Sequence, residues 1–118
     1  MSKLIEKAAR IRLLERAIVE IYHTDLIQSP LHLSIGQEAV AVGVCDQLSV
    51  NDQLFGTYRS HAWFLAKGGS EESFLFELMG RKSGACRSKG GSMHLADVSS
   101  GFMGTSAVVG GTISHAVG

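Results

Sequence analysis

Three polar side chains lie close together in the segment GTYRSHAWF, residues 56–64. Arg59 can form a forked pair of hydrogen bonds with phosphate oxygens, Tyr58 can donate its hydroxyl or stack on a ring, and His61 can gain or lose a proton near neutral pH. The alternative interpretation is structural: Tyr58 and His61 are satisfied, partly buried side chains and Arg59 forms a surface ion pair. These residues alone do not decide between an anion-binding site and a purely structural cluster.

A second candidate is the basic, glycine-rich segment RKSGACRSKGGSMHL, residues 81–95, which contains no acid. Its glycines allow backbone N–H groups to approach an anion and its cations supply charge, so a phosphate or a polar partner surface is the expected target. The order of residues is not that of a Walker A loop, and no GxGxxG pattern occurs in the chain. A solvated basic loop is the alternative. The four cations are Arg81, Lys82, Arg87 and Lys89.

Single titratable residues are weaker candidates. His32 is either a catalytic imidazole or a hydrogen-bonding residue before the next helix, and Glu38 suits the positive N-terminal end of that helix. His23 and His94 have few polar neighbours in the sequence. Cys86 has basic neighbours that could lower its thiol pKa, but no spaced partner marks it as a nucleophile.

Several function classes are excluded by pattern and composition. GTSAV lacks the final glycine of a GxSxG nucleophile elbow, no HExxH occurs, and Cys45 and Cys86 form neither a CxxC nor a regular spacing. Eleven basic residues balance eleven acidic ones, and no stretch approaches the roughly 20 apolar residues that span a bilayer. We therefore expect no nucleic acid or membrane partner, and a cytoplasmic location.

The first half of the chain is predicted to be helical. Apolar residues recur at three- and four-residue steps over residues 3–23, and Ser2 can cap the start of that helix. Pro30 disfavours helix before it and predicts an extended or turning connector. Residues 37–48 have the length and apolarity of a buried helix, in which Gly43 is expected to mark close backbone packing.

The second half is predicted to alternate short elements with a long loop. A strand over residues 53–58 delivers the polar cluster, and a short helix over residues 60–69 ends at two glycines. Ser70 caps a further helix that stops at Gly80. Residues 81–106 show no periodic pattern and are predicted to form a long glycine-rich loop.

The end of the chain does not look like a natural terminus. Nine of the fourteen glycines lie between Gly80 and Gly118, and the chain stops within the apolar helical pattern TISHAVG. Natural termini are usually polar and loosely packed. We expect residues 1–118 to be the N-terminal part of one domain that is truncated at its C-terminus.

Six segments, in this order and at these spacings, resemble the alpha subunit of the thiamine diphosphate-dependent first component of 2-oxo acid dehydrogenase complexes, in the pyruvate and acetoin dehydrogenase branch. They are LHLSIGQEAVAVGV, TYRSHAWFLAKGG, ELMGRKSG, KGGSMHL, GFMG and AVVGG. The resemblance covers about residues 5–118. It implies an α/β thiamine diphosphate-binding fold with a central parallel sheet. This chain is its mostly helical N-terminal part, with a long Gly-rich loop and only the first strand.

The resemblance also implies a role for each matching site residue. Tyr58 and Arg59 reach the cofactor diphosphate, and His61 supports the site from its rim. His32 is the one catalytic candidate, which lines the entrance and handles the substrate carboxylate or the intermediate. Backbone groups at Ala107 and Val109 grip the aminopyrimidine ring of the cofactor.

What the resemblance places outside this chain matters equally. The magnesium ligands, a Gly-Asp-Gly motif and a later Asn, are expected downstream of residue 118. The carboxylate that activates the aminopyrimidine comes from the beta subunit, so Glu38 does not take that role. Lys89 and His94 organise the site instead of performing chemistry.

The implied enzyme decarboxylates a 2-oxo acid, most typically pyruvate, and passes the acyl group to lipoamide on a lipoyl-bearing acyltransferase component. Its alpha subunit works in an alpha2-beta2 heterotetramer. Two alternatives stay open: an acetoin dehydrogenase alpha subunit, and a non-catalytic module that only contacts a beta-type partner. In either case we expect the isolated chain to be inactive and poorly stable, because apolar helix faces are left exposed.

Overall fold

The computed structural model describes residues 2–118, which form a mixed structure of helices and one small parallel sheet. Two short strands, β1 (Leu54–Thr57) and β2 (Phe102–Ser106), make up that sheet. Single 3-10 turns occur at Tyr22–Thr24 and Val98–Ser100. The α-helices within this range are α1 (Lys3–Ile21), α2 (Glu38–Gln47), α3 (His61–Lys67), α4 (Glu71–Leu78) and α5 (Ile113–Val117).

Helix α1 confirms the predicted amphipathic pattern. The Ser2 Oγ accepts a hydrogen bond from the backbone N–H of Leu4 at 3.3 Å, which satisfies one of the free donors at the helix start. Ile11 and Ile18 face the core and are buried, while Leu13 points away and stays exposed. The helix therefore presents one face to the rest of the chain and one to its surroundings.

Helix α2 is less buried than predicted. Ala41 and Cys45 face the core, but Val40 and Val44 are 60% and 44% exposed. A Cβ atom added at Gly43 would meet no heavy atom within 4 Å. The prediction of close backbone packing at Gly43 is wrong for the described part of the chain.

Helices α3 and α4 follow their predicted end signals. Gly68 adopts a left-handed conformation with φ of 117° and ends α3, as a glycine at this position typically does. Ser70 caps α4, accepting the backbone N–H of Ser73 at 3.3 Å. Short as they are, both helices start and stop where the local sequence predicts.

The sheet contains one strand more than predicted. Strand β1 confirms the prediction, but the expectation of no regular element over residues 81–106 and of a single strand is wrong, because β2 occupies the end of that range. The strands are parallel, with Phe55 opposite Gly104 and Thr57 opposite Ser106. Strand β2 is short and interrupted by a glycine, so its sequence shows no alternation.

One apolar core joins the first four helices to the sheet. Phe64, Phe74 and Phe102 are completely buried, and Phe64 meets Phe102 edge to face at 5.8 Å between ring centroids. Within residues 2–118, no helix is long and apolar enough to cross a membrane.

Candidate functional site

The carboxyl ends of the two strands deliver the predicted ligand-binding segments to one edge of the sheet. Thr57 and Ser106 are paired in the parallel register, so Tyr58 and Ala107 leave the sheet side by side. Thr112 then ties the second segment to the first, since its Oγ1 donates to the Gly56 carbonyl at 3.2 Å. Ligands of open parallel sheets bind outside the carboxyl ends of the strands, which is where these segments meet.

The structure brings His32 against Tyr58. Their ring centroids lie 4.9 Å apart at an interplanar angle of 67°, an edge-on contact between the α1–α2 connector and the end of β1. Both side chains are half-buried. The Nδ1 atom of His32 is buried and has no hydrogen-bond partner among the described residues, which is unusual because buried polar atoms are normally paired.

Arg59 joins this pair through the backbone next to His32. Its Nη1 donates to the Leu33 carbonyl at 2.6 Å, and its guanidinium carbon lies 6.0 Å from the centre of the Tyr58 ring, at the limit of a cation–π contact. A guanidinium carries five N–H donors. One contact to Leu33 thus leaves most of the fork for an anion.

His61 does not lie on the rim of the site, and that prediction is wrong. Its side chain has no exposed surface, because α3 begins at this residue and turns it into the core. Its Nδ1 lies 2.6 Å from Glu15 Oε1, and its Nε2 lies 2.7 Å from Ser92 Oγ. His61 cannot touch a cofactor directly from this position.

We call Glu15, His61 and Ser92 the buried relay. All three are at most 1% exposed, and they connect α1, α3 and the glycine-rich segment. The relay reaches the connector at two points: the backbone N–H of His32 donates to Ser92 Oγ at 3.1 Å, and that of Ser34 donates to Glu15 Oε2 at 2.6 Å.

The glycine-rich segment already holds an anion, and the anion belongs to the chain itself. The carboxylate of Glu77 at the end of α4 accepts four backbone N–H groups at 2.8–3.0 Å. The interpretation of this segment as a cradle for an external phosphate is therefore wrong for these four N–H groups. The donors are those of Cys86, Ser88, Gly90 and Gly91.

The environment of Glu77 explains how a buried carboxylate stays charged. Burial raises its pKa, but the four backbone hydrogen bonds together outweigh burial and hold the pKa below its usual range. Gly84 lies so close that a Cβ there would approach the Glu77 backbone nitrogen to 2.6 Å. The segment can pass this close to α4 only because Gly84 has no side chain.

Glu38 is engaged by Arg12. Arg12 Nε and Nη2 lie 2.5 Å and 2.8 Å from the two Glu38 oxygens, and the Gly36 N–H donates to the same carboxylate at 2.9 Å. The Arg12 hydrogen bonds lower the pKa of Glu38 to about 2. Glu38 is thus an ion-pair residue at the start of α2, in keeping with its structural interpretation.

The remaining candidates are exposed residues and the thiol of Cys86. His23, Lys89 and His94 are exposed, and the segment with Ala107 and Val109 is exposed as well. The pKa of the Cys86 thiol is raised by burial, so the expectation that basic neighbours lower it is wrong. In the described part of the chain, no group of three or more His, Cys, Asp or Glu side chains could hold a metal ion.

Sequence reasoning missed Glu15, Glu77 and Ser92. Glu15 had a visible signal: it lies four residues after Ile11 and three before Ile18, on the apolar face of α1. A charged residue on a core face needs a buried partner. Glu77 has the same signal on α4, while nothing in the local sequence marks Ser92.

The site combines a tyrosine, an arginine and exposed backbone at the carboxyl edge of a parallel sheet. Comparison of the whole chain with known proteins identifies the class of enzyme subunit to which it belongs. The chain belongs to the dehydrogenase E1 component family, whose model matches residues 6–118. This membership confirms the resemblance found in the sequence.

Individual relatives fall into two groups by name. The chain is 38% identical over 113 residues to the alpha subunit of acetoin:2,6-dichlorophenolindophenol oxidoreductase from Bacillus subtilis, covering 96% of this chain and 34% of that relative. It is 41% identical over 115 residues to the mitochondrial pyruvate dehydrogenase E1 component subunit alpha of Schizosaccharomyces pombe, covering 98% of this chain and 28% of that relative. The chain therefore spans about a third or less of the length of these relatives.

Proposed function

We propose that the protein containing this chain is a thiamine diphosphate-dependent 2-oxo acid dehydrogenase and that the chain is the N-terminal part of one thiamine diphosphate-binding domain in its alpha subunit. The enzyme decarboxylates a 2-oxo acid, with pyruvate as the first candidate, and passes the acyl group to lipoamide. The observation that carries this proposal is the edge at which Tyr58 and Arg59 leave β1 beside Ala107 leaving β2. The family membership supports the same function.

The residues at this edge fit the cofactor. The free donors of Arg59 suit the diphosphate oxygens, with Tyr58 beside them, because a planar guanidinium binds phosphate through paired hydrogen bonds. The exposed backbone at Ala107 and Val109 suits the polar edge of the aminopyrimidine ring. When bound, thiamine diphosphate supplies the electron sink for decarboxylation.

His32 is the residue of this chain that we propose to act on the substrate. Its unpartnered Nδ1 supports hydrogen bonding to a 2-oxo acid carboxylate, and its edge-on contact with Tyr58 keeps the ring beside the diphosphate-binding pair. We propose that His61 supports the site indirectly, through Ser92 and Glu15, since its own ring is buried.

Other parts of the protein complete the site under this proposal. The diphosphate carries several negative charges that a magnesium ion can offset, and the chain spans about a third or less of the length of its relatives, so we propose that the magnesium ligands lie downstream of residue 118. A beta subunit, in an alpha2-beta2 heterotetramer, and a lipoyl-bearing acyltransferase are the proposed partners. The exposed valines of α2, Val40 and Val44, support subunit contact, because such apolar faces mark interaction surfaces.

A second candidate substrate is acetoin. The Bacillus subtilis relative and a relative from Cupriavidus necator, 41% identical over 80 residues, are both named as alpha subunits of acetoin:2,6-dichlorophenolindophenol oxidoreductase. The Cupriavidus necator match covers 68% of this chain and 24% of that relative. Acetoin cleavage uses the same cofactor and the same diphosphate-binding residues, so the geometry of this chain supports both reactions.

The deciding experiment uses the complete alpha subunit, with and without its beta subunit. Calorimetry measures binding of thiamine diphosphate in the presence of magnesium, and reduction of 2,6-dichlorophenolindophenol measures turnover of pyruvate, branched-chain 2-oxo acids and acetoin. Cofactor binding with turnover of a 2-oxo acid supports the proposal, and turnover of acetoin alone supports the second candidate. Tight binding of the beta subunit without any cofactor binding contradicts both and indicates a non-catalytic module.

A further inference from the structure

The buried relay has one protonation pattern that satisfies all of its members. A neutral His61 with its proton on Nδ1 donates to Glu15, and its Nε2 then accepts the Ser92 hydroxyl proton. The Ser92 oxygen still accepts the His32 N–H. A proton on Nε2 would instead turn the Ser92 hydroxyl hydrogen away, and among the described residues it has no other acceptor. Buried polar groups are normally paired, which selects the first pattern.

The order carboxylate, imidazole, hydroxyl is also that of a hydrolase triad, but the relay cannot act as one. A nucleophilic serine must reach substrate, whereas Ser92 is 1% exposed and its oxygen is occupied by a backbone N–H. The relay is therefore a device that acts on the protein itself.

What the relay holds is the backbone of residues 32–34. The N–H groups of His32 and Ser34 point to Ser92 and Glu15, while the carbonyl of Leu33 between them accepts the Arg59 guanidinium. This alternation is that of an extended chain, in which successive residues direct their polar groups to opposite sides. Fixing the two N–H groups consequently fixes the carbonyl that orients Arg59.

A further bond locks the connector to α3. The Oγ of Ser34, itself buried, accepts the backbone N–H of Ala62 at 3.2 Å. His61 directly follows Arg59 and Ser60 and is the first residue of α3. The connector is therefore held to the start of α3 in two ways: by the buried relay, which includes the His61 side chain, and by the hydrogen bond from Ser34 to the α3 backbone. The His32 imidazole and the Arg59 guanidinium thus share one rigid support.

We propose that Glu15, His61 and Ser92 are positioning residues, which set the places of the His32 imidazole and the Arg59 guanidinium through the backbone of residues 32–34. This assignment rests on the function proposed above for His32 and Arg59. The relay touches neither substrate nor cofactor. Its contribution is the placement of two groups that do, and misplacement by about 1 Å costs roughly 100-fold in rate.

The first test compares Ser92→Ala with Ser60→Ala in the complete alpha subunit assembled with its beta subunit. Ser60 is a matched control, because it is equally buried and its Oγ has no hydrogen-bond partner among the described residues. We expect Ser92→Ala to lower kcat for pyruvate or acetoin and to raise the Kd for thiamine diphosphate, each about 10- to 100-fold per folded site. Ser60→Ala stays within about twofold of the parent. Unchanged kcat and Kd with only a lowered melting temperature overturn the proposal, because a merely structural serine predicts that result.

The second test keeps the shape of the relay and changes its polarity. Glu15→Gln places an amide NH2 against either the His61 Nδ1–H or the Ser34 N–H, and we expect the same direction of change as for Ser92→Ala. Glu20→Gln, on an exposed position of the same helix, is its control. Wild-type values for both kcat and Kd in Glu15→Gln contradict the proposal.

A structural measurement that does not depend on enzyme activity separates this inference from the proposed function. In a crystal structure of the Ser92→Ala subunit, we expect the Leu33 carbonyl to move and the Arg59 to Leu33 hydrogen bond to be lost. If the parent turns over none of pyruvate, branched-chain 2-oxo acids and acetoin while the variant shows this movement, the proposed function is wrong and the relay still positions these residues. Unmoved His32 and Arg59 overturn the inference whatever the activity.

Discussion

Glu77 Oε1 lies 2.8 Å from the backbone nitrogen of Gly90, so a carboxylate at the end of α4 holds the glycine-rich segment from the inside. Oε1 accepts the backbone N–H groups of Gly90 and Gly91, and Oε2 accepts those of Cys86 and Ser88. Glu77→Gln replaces one of these oxygens with an NH2 group, which leaves two partly buried N–H donors without an acceptor, at a cost of up to about 1–3 kcal/mol each. We expect the segment to open locally and to be cut faster by trypsin at its four cations.

Limited proteolysis followed by mass spectrometry of the complete subunit measures this opening. Glu72→Gln is the control, because Glu72 lies on the same helix and is exposed. If Glu77→Gln and Glu72→Gln are cleaved at the parent rate within residues 81–89, the carboxylate is not what holds the segment.

The Arg12 to Glu38 pair predicts a dependence of stability on acid pH. The pKa of Glu38 is about 2 in the folded chain against 4.5 for an ordinary glutamate, so the ionised form stabilises the folded state. This contribution is complete above about pH 4.5 and is lost as the pH falls towards 2. Arg12→Gln should therefore lower the melting temperature at pH 7 and approach the parent near pH 2.

Thermal melts across this pH range test the pair, with Arg16→Gln as control, since Arg16 is exposed and lies one turn further along α1. A constant difference between Arg12→Gln and the parent at every pH would mean that the guanidinium stabilises the chain by packing alone.

Arg59→Lys tests the diphosphate-binding role. Lysine keeps the charge but loses the fork and the fixed contact with Leu33, so we expect the Kd for thiamine diphosphate to rise about 10- to 100-fold, equivalent to the loss of one or two charged hydrogen bonds. Isothermal titration of the assembled protein gives the value. Arg81→Lys, an exposed position in the basic segment, should bind as the parent does, and equal binding by both variants would remove Arg59 from the site.

Two glycines predict opposite effects of the same substitution. Gly101 has φ of 82°, and a Cβ there would lie 2.6 Å from the Asp52 carbonyl, so Gly101→Ala should destabilise the chain by more than about 1 kcal/mol. Gly43 lies inside α2 with no atom within 4 Å of an added Cβ, so Gly43→Ala should stabilise the helix by about 0.5–1 kcal/mol. Denaturant unfolding of the alpha subunit checks both signs. Destabilisation by Gly43→Ala only in the assembled protein would show that a partner packs against this face.

The elements that the sequence predicted correctly are those with local signals. Ser2 and Ser70 start helices, Gly68 ends one, and these signals act within a few residues. Strand β2 was missed because its pairing partner is about fifty residues away, and the five residues of FMGTS carry no alternation. Local chemistry can specify a cap, but parallel pairing is a long-range contact.

The candidate site shows the same division. The cluster of Tyr58 and Arg59 was visible because both residues are adjacent in sequence, and their binding of a cofactor stays a prediction. The partners of His61 were not visible, since Glu15 and Ser92 lie 46 and 31 residues away. The basic segment was misinterpreted because its anion, Glu77, lies just before the window that contains no acid.

The parallel pairing of Phe55 with Gly104 also fixes an order of events during folding. Helices α1, α2 and α3 contact one another and can assemble early, because they lie much closer together in the sequence than the two strands do. Strand β1 cannot pair with β2 until almost the whole of this chain has been synthesised. Bringing the two strands together closes a loop of about fifty residues, which costs entropy before any hydrogen bond between the strands forms. A ribosome-bound chain that ends before β2 consequently has a helical core but no sheet, and the edge that carries Tyr58 is completed last.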